Sequence, residues 1–372
     1  MTHIVYIVSD IHKALAFEWI VQELDPSAFR LSFLLLQAGP SDLETFLRQK
    51  NIPVYRIACR SKKDWLPAWF KICRLLKRLK PDAVHCHLLT ANVLGLSAAK
   101  LVGVPARYYT RHHSDFHFRY FSKGVKWDRL CNRWATRIIA PSRAVQEVLV
   151  SREAVPPGKI TIIHHGFDLD YFDRVPADLL NTIRRKYNPD NRHPVIGVIS
   201  RFTGLKGIQF IIPAFGKLLK HYPDAKLLLF NAQGDDRDKI HGLLAAQLPA
   251  ASYQAVAFEP ELAAVYKLFD VFVQASTDTH IEAFGQTYVE ALAAGVPSVF
   301  TLAGIAADFV ADGVNALVVP FKDSEAICQA LLRLLQDKHL REQLQHEGRK
   351  SVQSMFDLRI MIRKLEQLYG SN

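Results

Sequence analysis

The feature that most constrains this chain is an alternation that runs twice. Short apolar, β-rich runs are separated by longer amphipathic segments. In the first half the strand-like runs are residues 3–8, 31–36, 54–57, 83–85, 106–110, 138–140 and 160–163, with helical patterns between them, as at 15–24, 65–80 and 92–100. The pattern restarts at 195–200 and continues through 227–230, 254–258, 271–274, 297–300 and 317–319. Strands that alternate with helices build parallel sheets covered on both faces. Two such series imply two doubly wound, Rossmann-like α/β domains. Ligands of such sheets lie at the carboxyl ends of the strands, so the expected site is a cleft between the domains. The spacing predicts a first domain over 1–168, a polar linker over 169–176 within a second domain over 169–355, and a C-terminal helix in 356–372 that packs back on the first domain.

Composition narrows the class. The chain has 372 residues, 49% hydrophobic and 22% charged. It exceeds the roughly 250–300 residues at which single cores stop growing, and its balance excludes a disordered or collagen-like chain. No window approaches the ~18 consecutive apolar residues of a membrane span. The start, MTHIVYIVSDIH, has no basic leader region, so no signal peptide is expected. Five cysteines, Cys59, Cys73, Cys86, Cys131 and Cys328, are scattered without a C-x-x-C pair. That pattern points to a reducing cytoplasm rather than to disulfides or structural zinc.

The net charge of +11 is unevenly placed. Residues 1–168 hold 25 Lys and Arg against 13 Asp and Glu, whereas residues 169–372 hold 22 against 23. The basic half calls for an anionic partner: nucleic acid, membrane surface or phosphorylated substrate.

The most informative stretch is Glu282-Ala-Phe-Gly-Gln-Thr-Tyr-Val-Glu290-Ala-Leu-Ala-Ala-Gly295-Val-Pro297. It reads as a loop and then a helix from about Gly285 to Ala294, stopped by Gly295 and Pro297. Unpaired backbone N–H groups at Phe284, Gly285, Gln286 and Thr287 would bind phosphate, helped by the helix dipole. Glu282 sits before the helix and Glu290 two turns on, and each carboxylate can accept from a pair of sugar hydroxyls.

This segment resembles the E-x7-E signature of the retaining glycosyltransferases of family 4, which have the GT-B fold. The match extends to Phe284-Gly285, Glu290-Ala291 and Ala294-Gly295-x-Pro297. Ser200-Arg201-Phe-Thr-Gly-Leu-Lys206-Gly207 resembles the family's G-R-x4-K-G turn, which implies that Arg201 and Lys206 clamp the donor's diphosphate. Cationic groups stabilise such a leaving group as its charge develops. His164-His-Gly-Phe-Asp168, Ala140-Pro-Ser142-Arg-Ala144 and Asp312-Gly-Val-Asn315-Ala-Leu317 resemble further family segments in order. Thr110-Arg111-His112 resembles a T-x-H at a strand end, which implies that His112 lies near the reacting sugar. An imidazole there can donate to a hydroxyl, and titration near neutral pH suits proton handling. His113 is the neighbouring register.

The resemblance implies transfer of a sugar from a nucleotide-sugar co-substrate to an acceptor hydroxyl, with retention, without metal or cofactor, in cell-surface glycan or glycolipid synthesis. His85-Cys86-His87 has metal-like spacing, but no further ligand lies nearby in sequence and the family carries H-x-H there without metal. Asp168-Leu169-Asp170 reads as linker. One departure stands out: the family often has a Gly-Gly turn after the first strand, and this chain has Ser9-Asp-Ile-His12-Lys13-Ala14. Glycine is also missing at Ala303 and at Asn231, where it is usual.

Residues 65–80 pattern as a helix with Trp65, Trp69, Ile72, Cys73, Leu76 and Leu79 on one side and Lys71, Arg74, Lys77, Arg78 and Lys80 on the other. It is either a crossover helix with a basic outer face or a segment that docks on an anionic leaflet. A second basic-aromatic stretch, 111–129, follows His112 and would border the acceptor. These features suggest a glycan or lipid-linked acceptor and a cytoplasmic protein, peripheral on the inner face of a membrane. A sugar-nucleotide 2-epimerase of the same fold is an alternative that product formation from donor alone would reveal. A nucleic-acid-binding protein is a remote one, since no helix-turn-helix, zinc finger or RNA-binding sheet signature is present. Intact Glu282, Glu290, Arg201 and Lys206 argue against a binding module that has lost catalysis.

Overall fold

In the computed structural model, which describes residues 1–371, the chain forms two compact units. The first is Met1–Phe167 with the C-terminal segment from Leu358, and the second is Asp168–Asp357. The first unit holds a seven-stranded parallel sheet of β1 (Thr2–Ser9), β2 (Phe29–Leu36), β3 (Val54–Ile57), β4 (Ala83–His87), β5 (Ala106–Thr110), β6 (Arg137–Ala140) and β7 (Ile160–Ile162). Their order is β3-β2-β1-β4-β5-β6-β7. The second unit repeats the plan with β8 (Val195–Ile199), β9 (Lys226–Phe230), β10 (Tyr253–Val256), β11 (Val271–Gln274), β12 (Ser298–Phe300) and β13 (Leu317–Val318), ordered β10-β9-β8-β11-β12-β13. Both series are the doubly wound sheets that the alternation implies. Strand order reverses between β1 and β4, and between β8 and β11. Chain ends that diverge at such a reversal leave a crevice at the carboxyl edge.

The strands are nearly continuous apolar runs because helices cover both faces. Ile4–Val8 and Leu227–Phe230 have no exposed side chain. β4 runs two residues past the expected end at 85, since both of its histidines are buried within the strand. Polar side chains hid that end from a pattern based on apolar residues.

The Trp65–Leu79 helix buries Ala68, Ile72, Cys73, Leu75 and Leu76 in the first unit, so its apolar side serves as a crossover helix. Trp69 Nε1 donates to Ser97 Oγ at 3.0 Å. Leu66 and Phe70 remain outside that core, 64% and 60% exposed. The expected linker contains a single 3-10 turn, Leu169–Phe172, whose Phe172 is buried. All five cysteines are free and buried. Among the described residues no helix is long and apolar enough to cross a membrane.

The last helix, Leu358–Gly370, packs on the first unit. Leu358, Met361, Ile362, Leu365 and Tyr369 join the core beside β1 and β2. Tyr369 Oη lies 2.6 Å from Tyr6 Oη and 2.6 Å from His85 Nδ1. A buried hydroxyl left unsatisfied costs about 1–3 kcal/mol, so this relay fixes the helix's register as well as its face. With it, the first unit carries 28 Lys and Arg against 13 Asp and Glu, a net of +15, and the second carries −4.

Candidate functional site

In the second unit the site is built at the β8/β11 reversal. After β8 the chain makes a short 3-10 turn, Gly204–Lys206, and then Gly207 opens the Ile208–Leu218 helix at φ 72°. A Cβ on Gly207 would lie 1.8 Å from the Ala275 carbonyl oxygen. Only glycine permits this approach, in both dihedral and space. Thr277 N–H donates to Leu205 O at 3.0 Å, which ties the turn to the loop after β11.

That contact brings together two residues that sequence alone left 76 apart. Lys206 Nζ lies 2.5 Å from Glu282 Oε1. The same carboxylate oxygen accepts from Ser276 Oγ at 2.8 Å, and Gln274 Nε2 stands 3.5 Å away. Glu282 is buried, while Arg201 is exposed and its guanidinium makes no hydrogen bond or salt bridge among the described residues. Lys206 is therefore held by a carboxylate, and Arg201 is uncommitted.

The helix after Glu282 spans Gln286–Ala293, with Gly285 as its left-handed N-cap at φ 88°. The backbone N–H groups of Gly285, Gln286 and Thr287 have no acceptor among the described residues. Phe284 works differently from the others: its ring is buried against Phe356 at 5.8 Å, and its carbonyl accepts from Ile305 N–H. It anchors the loop through its side chain. Gly304, at φ 55°, passes within 2.6 Å of both Glu282 and Phe284 for a built Cβ, so this position also needs glycine. The helix stops as expected. Gly295 N–H bonds Leu292 O, and Val296 N–H bonds Ala291 O, with Gly295 at φ 72°, a Schellman ending.

Glu290 accepts from Tyr266 Oη at 2.9 Å. Burial raises its carboxyl to about 7, and the tyrosine hydrogen bond pulls the other way. Sequence reasoning missed Tyr266, Ser276 and Gln274. The one available signal was that Ser276 and Gln274 sit at the end of a strand already picked out.

In the first unit, His112 and His113 separate into two clusters. His112 Nε2 lies 2.9 Å from His87 Nδ1, and its ring stacks on His165 at 5.9 Å and 7°. His113 Nε2 lies 3.3 Å from Asp128 Oδ1, and His117 Nδ1 lies 2.6 Å from the other oxygen. Burial lowers His112 to about 3, with further depression from His165, His85 and His113. The expectation of titration near neutral pH therefore gives way: His112 is a neutral imidazole that can donate or accept a hydrogen bond. His87 is held well below the usual imidazole range by burial and then by His85, His112 and His165, and its Nε2 is buried without a partner.

His85 uses both ring nitrogens, on Tyr369 Oη and on Thr110 Oγ1 at 2.8 Å. It has no lone pair for a metal shared with His87. His113, His117 and Asp128 do bring three ligand-type atoms within 4.8 Å of one another. Arg111 Nη1 lies 3.2 Å from the same Asp128 carboxylate, and its Nη2 pairs with Glu153. A guanidinium already occupies the charge that a cation would need. Arg111, expected to border the acceptor, is 2% exposed and belongs to this buried network.

Comparison with known proteins follows the same division. Residues 181–351 match the family described as glycosyl transferases group 1, and residues 21–171 match glycosyltransferase family 4. The chain is 27% identical over 355 residues to the capsular polysaccharide biosynthesis glycosyltransferase CapM of Staphylococcus aureus, covering 88% of this chain and 92% of that one. It is 25% identical over 310 residues to the alpha-monoglucosyldiacylglycerol synthase of Acholeplasma laidlawii, covering 78% and 76%. In structure it is similar to Anabaena HepE, solved in complex with UDP and glucose, at a TM-score of 0.85, 19% identity and full coverage of both chains. The fold is GT-B.

The buried histidines make a prediction. Between pH 8 and pH 5 the ring NMR signals of His85, His87, His112 and His165, assigned by single His→Gln variants, should not shift, because burial holds all four below the usual imidazole range. A His112 signal that titrates between pH 6 and 7 would contradict the neutral role.

Proposed function

The chain belongs to the group 1 glycosyltransferases of family 4 and uses a nucleotide-sugar donor, and on that premise we propose a retaining, metal-independent transfer to an acceptor hydroxyl in cell-surface glycan or glycolipid assembly. The observation that carries this reading is the Lys206–Glu282 pair at the β8/β11 reversal, beside a helix whose first N–H groups are unpaired. A diphosphate bound there receives three kinds of positive charge: the uncommitted Arg201, Lys206 and the N-terminus of the Gln286–Ala293 helix. Lys206 can turn toward the phosphates as charge develops, since Glu282 keeps Ser276 and Gln274 as donors. Glu282 then accepts from sugar hydroxyls and Glu290 from the ribose diol.

No carboxylate cluster for a divalent cation is needed in this arrangement, because the charge is met by protein cations. Retention is what the resemblance to the E-x7-E enzymes implies. His112 serves the acceptor side as a neutral hydrogen-bonding group set in orientation by His87. The capsule and glucosyldiacylglycerol activities named for two relatives support the cell-surface assignment. A cytoplasmic enzyme peripheral on an anionic membrane fits the +15 of the first unit, and fits exposed Leu66 and Phe70 on a helix that also carries Lys71 and Arg74.

Two measurements test the proposal. In a transfer assay with nucleotide-diphosphate sugars, Lys206→Ala and Glu282→Gln should each lower kcat by roughly 10²–10³-fold, the scale for losing one group that stabilises developing charge. Activity at the wild-type level in either variant would remove the residue from the site. The second uses Glu290. Its ionised form accepts two hydroxyl hydrogen bonds, and its raised carboxyl loses its proton through about pH 7. Affinity for UDP-glucose or GDP-mannose should therefore rise between pH 6 and pH 8, by up to about tenfold if only the ionised form binds. Glu290→Gln should bind weakly and without that slope. A wild-type affinity that is flat or falls with pH would contradict the ribose assignment.

A further inference from the structure

The first unit has its own reversal point, between β1 and β4, and a pocket lies there. Its wall is formed by Asp10 after β1, by Leu89 and Thr90 after β4, by the 59–62 segment after β3, and by Trp65, Phe121 and Trp127. Its volume of about 230 Å³ is below the roughly 300–1,000 Å³ of sites for drug-sized ligands. It suits one ring-sized group.

The chemistry of the wall is specific. Trp65 and Trp127 meet edge to face, with centroids 5.5 Å apart and planes at 71°, and both are only half-buried. They form an apolar corner against which the C–H face of a sugar ring can pack, with Asp10 and Thr90 in place for hydroxyls. At the mouth, Arg60 and Lys62 are exposed and neither forms a salt bridge among the described residues. Their loop is tied by side-chain bonds: Asp64 Oδ2 accepts from the backbone N–H groups of Arg60 at 2.8 Å and Ser61 at 2.9 Å. Two uncommitted cations on this loop beside an aromatic corner match a phosphate attached to a sugar.

The backbone marks the same place. Leu88, between His87 and the pocket wall, sits at φ 70° and ψ 158°, a region otherwise reserved for glycine, and such strain collects at ligand sites. Asp10 takes φ 50° where the family often turns on glycine, so the turn is kept and a carboxylate is added to it.

We propose that this pocket binds the acceptor, and that it selects a sugar carrying a phosphate or diphosphate, with the ring against Trp65 and Trp127 and the phosphate on Arg60 and Lys62. The proposal rests on the glycosyltransferase reading above. Two sources offer this chemistry, a free sugar phosphate and a sugar diphosphate on a prenyl chain.

The test is calorimetric titration of the full chain with glucose, glucose 6-phosphate and farnesyl-diphospho-N-acetylglucosamine, and with UDP-glucose and GDP-mannose as references for the second unit. At least one phosphorylated probe should bind tenfold or more tighter than glucose. In Arg60→Ala/Lys62→Ala, which alters only exposed side chains, that preference should be lost while nucleotide-sugar affinity stays the same; Trp65→Ala should weaken the phosphorylated probe by a similar factor. Tight glucose 6-phosphate identifies a free sugar phosphate, and binding of the farnesyl compound alone identifies a lipid-linked one. Equal binding of glucose and both phosphorylated probes, or no effect of the double variant, overturns the phosphate pocket. Failure of every nucleotide sugar to bind would instead overturn the glycosyltransferase reading.

Discussion

The site depends on one close approach, that of Gly207 to the Ala275 carbonyl. The two strands involved, β8 and β11, are neighbours in the sheet, but the chain leaves them in opposite directions. Glycine lets the turn after β8 rest on the end of β11, where any Cβ would collide. Once the turn rests there, Lys206 reaches Glu282 directly, and Ser276 donates to the same carboxylate. The helix N-terminus then follows from Gly285 and Gly304, two further left-handed positions without room for a side chain. The proposed phosphate site is thus assembled from three loops by backbone constraints, and the charged side chains are added to a frame that already exists.

The first unit solves a different problem. It buries imidazoles instead of exposing charge. His87, stacked on Tyr6 at 5.5 Å and 10°, reaches His112 through Nδ1, and the Tyr6–Tyr369–His85–Thr110 relay closes the floor beside it. Because the C-terminal helix supplies Tyr369, it packs on His85, whose imidazole burial lowers to about 3. The unit's +15 lies elsewhere, mostly on exposed lysines and arginines. In the proposed function, the neutral imidazoles hydrogen-bond on the acceptor side while the outlying cations recognise an anionic partner.

Much of this was legible in the sequence, because period and punctuation are local. The alternating runs located thirteen strands in two series, and Gly295 and Pro297 marked the end of the Gln286–Ala293 helix. The long-range pairings were not legible. Nothing in a linear pattern joins Lys206 to Glu282 or His87 to His112, since those contacts follow from strand order. Arg111 read as part of a basic stretch bordering the acceptor because its partners Asp128 and Glu153 come from other segments. At two positions without the usual glycine the chain still turns left-handed. Asp10 and Asn231 adopt φ 50° and 62°, a left-handed conformation that Asp and Asn tolerate better than most residues, so a lost glycine did not mean a lost turn.

The most direct test of the account is where a nucleotide sugar protects the chain. Hydrogen–deuterium exchange with and without saturating UDP- and GDP-sugars should show slowed exchange in residues 200–207 and 282–290, with little change in residues 54–65. Protection confined to the first unit, or absent from both second-unit segments while the nucleotide sugar is bound, would contradict a donor site built on the β8/β11 reversal.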